Sequence, residues 1–287
     1  FGIYNFEDKE ILSAEIEEIC VSTKTLPIED YYESRSFALT IGLFYQDRIL
    51  LELYQYLKNF DISPSELLQI LHKNRMSYSN GIKELFRSFD YDTKHELWDK
   101  KEDVRKIVKK DKRVLEKYAK GELGVNVLFK HRAIGALELI KDIHDAAFLA
   151  ALEILKEKIP EEFQKSKEFL EELKMFSYLR KTNVFDYEQK FTHRFSYDFE
   201  KLIDSNFSEY PIKLKNSINV EFFADEKQKI MIKEKIEENG SDVNGIGKIL
   251  SKMLGNMLQR KVKFKSGIMK ENILENMEIS TSPGEFV

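Results

Sequence analysis

Cysteine is almost absent: Cys20 stands alone among 287 residues. One thiol closes no internal disulfide, and by itself it supplies neither a thiolate zinc site nor an iron–sulfur cluster. Proline and glycine are sparse, at 5 and 12 residues, too few for an all-β fold built on many tight turns. Histidine is scarce and scattered. His72, His95, His131, His144 and His193 show no His-x-x-x-His or His-Glu-x-x-His spacing. His131 and His144 fall on one expected helix about 20 Å apart by helical rise, too far to share a metal. The chain is therefore expected to bind no iron, zinc or cobalt tightly. Long uncharged apolar runs are missing too. The stretch from Ala133 to Leu155 comes nearest, and Glu138, Lys141, Asp142, Asp145 and Glu153 interrupt it, so no membrane span is expected. No secretory leader is visible, and the expected location is cytoplasmic. The pair Gly245-x-Gly247 lacks the third glycine and the Lys-Ser/Thr of a phosphate loop, and no Gly-x-Ser-x-Gly elbow occurs. With 46 basic and 50 acidic side chains the net charge is -4. That balance gives no global drive toward nucleic acid or membrane.

What the chain does have is charge and helical periodicity. About 42% of residues are apolar and 33% charged, the composition of a folded, helix-rich protein. Residues 1–27 read as an entry segment, with a short strand or extended stretch around Ile16, Ile19, Cys20 and Val21 that ends at Leu26-Pro27. From Ile28 to Leu57 apolar residues recur at helical spacing. Ser63-Pro64-x-Glu66 is a capping box with proline in the first turn. A helix is expected from Asn80 to Trp98, with a possible break at Asp90–Asp92. The segment from Lys100 to Lys120 has only a thin apolar stripe and reads as a solvated surface helix. The longest and most buried helix is expected from Asn126 to Lys158. Pro160 opens the next, which runs to Lys181. After Asn183 the period changes to two: Phe191, His193, Phe195, Tyr197 and Phe199 alternate with polar residues, as in a strand. Further strands are expected at Ile212–Phe222 and Val262–Phe264, with helices at Asp225–Glu238 and Val243–Leu258. The predicted fold is mainly α: a multi-helix, bundle-like body at 28–182, a small, separable α+β subdomain at 183–279 and a flexible tail at 280–287.

Three local features bear on function. Lys130-His131-Arg132 places cations near the start of a buried helix, against its dipole. Either an anionic partner or internal salt bridges must offset them. His193 lies on the aromatic face of a strand, as a core histidine or as a ligand or proton carrier. From Gly245 to Lys270 there are seven cations and no acid. The helix within it has an apolar stripe and a small-residue ridge of Gly247, Ser251 and Gly255. Lys248, Lys252, Arg260, Lys261 and Lys263 are thus candidates for docking an acidic partner, the alternative being a solvated basic face. With Phe264 as the one stacking aromatic, nucleic acid is not the expected partner.

The run Glu18-Ile19-Cys20-Val21-Ser22-Thr23-x-Thr25-Leu26-Pro27-Ile28-Glu29-Asp30-Tyr31, then Glu33-Ser34-Arg35 and Leu43-Phe44-Tyr45, resembles the segment after the barrel in cobalamin-binding radical S-adenosylmethionine proteins. Gly121-Glu122-x-Gly124-x-Asn126-x-Leu128-Phe129-Lys130-x-Arg132-Ala133, Glu172-Leu173-Lys174-x-Phe176-x-x-Leu179-Arg180 and Tyr197-Asp198 extend the resemblance across the helical body. The family's Cys-x-x-x-Cys-x-x-Cys loop is missing here and no cobalamin-binding domain surrounds the one Asp-x-His, Asp142-Ile143-His144, so no family catalytic residue carries over. The resemblance implies the C-terminal region of such an enzyme, covering the barrel or shaping the substrate site. It implies a 4Fe-4S cluster, S-adenosylmethionine and cobalamin in the parent protein, with none in this chain, and the barrel and B12 domain as partners. A start at Phe1 rather than methionine agrees with missing upstream sequence. Arg35, Asn126, His131, Arg132 and Arg180, which lie in the resembling segments, become candidates to face substrate. Arginine forks grip carboxylate or phosphate in two places; the alternative is that these residues tie helices together. Two other readings stay open: a free-standing helical interaction module docking an acidic partner, and a hydrolase or transferase with a site assembled from scattered residues.

Overall fold

The structure, a computed structural model, describes residues 2–13, 18–119, 124–253, 255–264 and 269–270. The chain opens with an antiparallel hairpin of β1 (Gly2–Phe6) and β2 (Lys9–Ser13). Of the short strand or extended stretch expected around Cys20, the described residues 18–27 form no strand, and Ile16 lies outside the described residues. Thr23 organises this stretch instead, its Oγ1 accepting from Leu26 N at 3.0 Å.

Helix α1 (Ile28–Ile41) starts after Pro27, with Glu29 and Asp30 in its first turn where acids suit the dipole. It runs into a π-helical turn at Gly42–Gln46 and stops. The helical spacing from Ile28 to Leu57 is therefore realised as two helices. Arg48 takes φ 53, and α2 (Leu51–Lys58) restarts beyond it. The break has a tertiary cause, because the turn carries Asp47 into a buried ion pair with Arg132. The capping box at Ser63 forms as expected and opens α3 (Pro64–Lys73). Helix α4 (Asn80–His95) runs without interruption through Asp90–Asp92. Next come α5 (Lys101–Lys110) and α6 (Lys112–Ala119).

The long helix expected from Asn126 to Lys158 is also two, α7 (Val127–Glu138) and α8 (Ile140–Lys158), jointed at Leu139 with φ -118 and ψ 16. Packing explains the joint. A Cβ on Gly135 would stand 2.4 Å from Leu43, so α7 lies hard against the π-turn while α8 turns away into the core. Ile143, Ala147, Ala150, Ala151 and Leu155 of α8 are fully buried, and each large apolar side chain so buried contributes about 1.5–3 kcal/mol. Helix α9 (Pro160–Lys181) packs along α8.

Beyond it the elements are β3 (Phe191–Tyr197), α10 (Phe199–Asp204), β4 (Lys213–Phe223), α11 (Glu226–Asn239), α12 (Val243–Lys252), a 3-10 turn at Gly255–Leu258, β5 (Lys261–Phe264) and β6 (Met269–Lys270). The four strands form one antiparallel sheet in the order β3-β4-β5-β6. Register pairs Phe191 with Phe222 and Phe222 with Val262, so the period-two apolar residues share the face toward the helices.

The fold is mainly α with this small α+β part, as the periodicities predicted. The expected separation at residue 183 is not reflected in the core. Phe176 of α9 stacks on Phe199 at 4.3 Å and meets Phe195 and Phe222 edge-on at 5.6 and 5.4 Å, so one aromatic cluster crosses the boundary. A smaller cluster joins Ala133 of α7 to Ile232, Ile246, Ile249 and Leu250 of α11 and α12. The small-residue ridge serves this packing: Cβ atoms on Gly247 and Gly255 would meet Phe129 O at 2.8 Å and Asp47 O at 2.0 Å. Among the described residues no helix is long and apolar enough to cross a membrane. The tail beyond residue 279 lies outside the described residues.

Candidate functional site

Asn126 caps α7, its Oδ1 accepting from Phe129 N at 3.2 Å. The three cations that follow are offset from inside the chain. Lys130 Nζ lies 2.6 Å from Asp92 of α4. His131 Nδ1 faces the Val127 carbonyl at 2.8 Å, which assigns the ring proton to Nδ1 and leaves Nε2 to accept from Ser88 Oγ at 3.2 Å. Arg132 forks onto Asp47 and also reaches Leu250 O at 3.3 Å. Of the two explanations open for this tripeptide, the geometry is that of internal pairing.

Arg35 comes from α1 to the same place. Its Nη2 donates to Glu96 Oε1 at 3.0 Å and its guanidinium sits 5.9 Å from the Phe89 ring. Phe89 in turn meets His131 edge-on at 5.3 Å. Arg35, Asp92, Glu96, Lys130 and His131 thus form one corner where α1, α4 and α7 meet. On the same stretch of α4 and just after it, Tyr91 stacks on His95 at 3.8 Å, Lys94 lies over Tyr32 of α1 at 5.4 Å, and Trp98 is 46% exposed. Burial holds the Glu96 carboxyl above its usual range in spite of Arg35, and it pushes the His131 imidazole down against the pull of Val127 O and Asp92. His131 is wholly buried, so it orders the corner from beneath. Arg35, Asp92, Glu96 and Lys130 remain partly open to solvent and can meet a ligand.

Two of the five substrate-facing candidates lie elsewhere. Arg132 is buried on Asp47, away from solvent. Arg180 is buried with Lys181 around Glu52 of α2; its Nη1 is 2.7 Å from Glu52 Oε1, and Lys181 Nζ holds the other carboxylate oxygen. Ser177 Oγ touches Glu52 at 3.1 Å, Ile49 O at 3.3 Å and His144 Nε2 at 3.1 Å. Burial would raise Glu52, yet Lys181 and Arg180 outweigh it and hold the carboxyl at about 2. Burial, with a smaller repulsion from Arg180, brings Lys181 down to about 8 in spite of Glu52.

The basic segment divides as well. Lys248 and Lys252 of α12 and Lys263 of β5 are exposed and Lys261 is half-buried. Arg260 is no docking group. It is 3% exposed, donating to the carbonyls of Thr182, Asn183, Asp186 and Gln189 while its guanidinium lies 4.8 Å from the Phe191 ring. His193 is half-buried on the inner sheet face, 4.8 Å from Phe195.

Sequence reasoning missed the acidic partners Asp47, Glu52, Asp92 and Glu96, which lie 38 to 129 positions from the cations they hold and leave no local pattern. It also missed a hydroxyl–imidazole–carboxylate line: Thr40 Oγ1 is 2.8 Å from His72 Nδ1, and His72 Nε2 is 2.9 Å from Glu33. The line is inverted for nucleophilic catalysis, since the hydroxyl is fully buried and the carboxylate faces solvent. Among the described residues no group of three His, Cys, Asp or Glu is arranged to hold a metal ion. No family model, curated protein or solved structure matches the chain.

Proposed function

We propose that this chain is the accessory C-terminal region of a B12-dependent radical S-adenosylmethionine enzyme, covering the barrel and shaping its substrate site. The observation that carries the reading is the corner itself. Arg35 and Lys130, 95 positions apart in two resembling segments, converge with Asp92 and Glu96 where α1, α4 and α7 meet. A second feature agrees. Tyr4, Phe6, Ile11 and Ile19 are each about half exposed or more, so the segment leading into α1 carries apolar surface that a neighbouring domain would cover. The lone Cys20 is exposed and supplies one thiolate where a cluster loop needs three. Cluster, S-adenosylmethionine and cobalamin would be held by the rest of that enzyme.

Alanine substitution in the full-length enzyme tests the reading. Arg35→Ala and Lys130→Ala break half-exposed pairs worth at most about 1 kcal/mol, so melting temperature stays put. Turnover falls on the order of tenfold or more when a substrate contact is lost. Arg132→Ala and Arg180→Ala break buried pairs and lower the melting temperature. Full turnover in both corner variants would contradict the proposal.

A further inference from the structure

The α5–α6 arm is more cationic than a solvated surface helix needs to be. From Lys101 to Ala119 there are eight cations and four acids, a net +4 that leaves the remainder of the chain at -8. Ion pairs do not use up the excess: the arm shows Lys106–Asp103 and Arg113–Asp111, while the exposed Arg105, Lys110 and Lys117 make none among the described residues. The spacing is unfavourable too. Lys101 and Arg105, Arg105 and Lys109, Lys106 and Lys110, and Arg113 and Lys117 are all like-charged at i,i+4, a placement that destabilises a helix. A surface evolved only for solubility interleaves the two signs instead.

We propose that the α5–α6 arm is a docking surface for an acidic protein segment. Charge complementarity requires an anionic occupant, and three observations choose among anionic classes. Among its described side chains the arm turns Val104 inward, leaving it 8% exposed, and shows Ile107 as its one exposed large apolar group, too little to insert into an anionic membrane. Its described side chains include no exposed aromatic on which bases could stack. The exposed Ile107 gives a protein partner an apolar contact among the cations.

The test uses the 287-residue chain and a fluorescent polyglutamate peptide read by anisotropy, with oligouridylate and anionic phosphatidylserine vesicles as rival probes. Polyglutamate binds at low salt and is released as salt rises. R105E/K110E/K117E weakens it by at least about tenfold. Because each reversal replaces a like-charge pair with an opposite one, the same variant melts no lower than the parent, which separates lost binding from lost folding. K248E/K252E, on the other basic helix, binds like the parent. The proposal is overturned if the arm variant still binds, if α12 reversal abolishes binding instead, or if oligouridylate or vesicles are captured more tightly than polyglutamate.

Discussion

Glu52→Gln removes one charge from the centre of the molecule and keeps the side chain's shape. In the native chain a single carboxylate faces two cations, Arg180 and Lys181, all three no more than 5% exposed. Neutralising it leaves both cations buried without a counter-charge. Loss of one partner from a buried pair costs about 3–5 kcal/mol, roughly a fifth or more of a total stability of about 5–15 kcal/mol. With a urea dependence of about 3 kcal/mol per molar, the unfolding midpoint falls on the order of 1 M at neutral pH. The pH dependence supplies a second signature. The Glu52 carboxyl, held at about 2 against an ordinary 4.5, contributes fully above the ordinary value and loses that contribution as pH falls toward 2. Lys181, at about 8 against 10.5, binds its proton more weakly folded than unfolded, so stability rises with pH between those values. In Glu52→Gln the proton on Lys181 is held more weakly still, and recovery with rising pH starts lower than in the parent. Replacing the whole cluster, as E52L/R180M/K181M, leaves no orphaned charge and costs less than Glu52→Gln. A loss below about 1 kcal/mol for Glu52→Gln, or no difference in recovery with pH, would refute the electrostatic account of this cluster.

Arg260→Ala strips a guanidinium from the carbonyls at the end of α9 and costs about 2–4 kcal/mol; amide hydrogen exchange accelerates first at residues 182–190, and an even increase over the whole chain would count against a local clamp. His144, pushed down to about 4 by burial, stays neutral with its proton on Nδ1, so its imidazole carbon and nitrogen shifts do not move as pH passes through neutrality in NMR. A titration of His144 near the ordinary histidine value would show that the ring reaches water.

Much of the fold was legible because local signals and tertiary packing agree. The Ser63 box, the Pro160 start, the Asp225 start and the alternation from Phe191 to Tyr197 each became the expected element. Where the reading failed, the cause lies in a distant partner. The helix after Ile41 ends because Asp47 must reach Arg132, and the helix at Leu139 bends because Gly135 presses on Leu43. Neither site has a proline or a cap that would have marked it. The candidate site was half legible. Its cations stood out as a tripeptide at a helix start, but Asp92 and Glu96 are ordinary acids on a charged helix until α1 and α7 are laid beside it.

The most direct test of the central claim is the coding frame that contains this chain. A radical-enzyme accessory region requires a Cys-x-x-x-Cys-x-x-Cys loop upstream in the same polypeptide, and that polypeptide, purified without oxygen, carries iron, sulfide and cobalamin. An initiation codon directly before Phe1, with no such loop in frame, would contradict it.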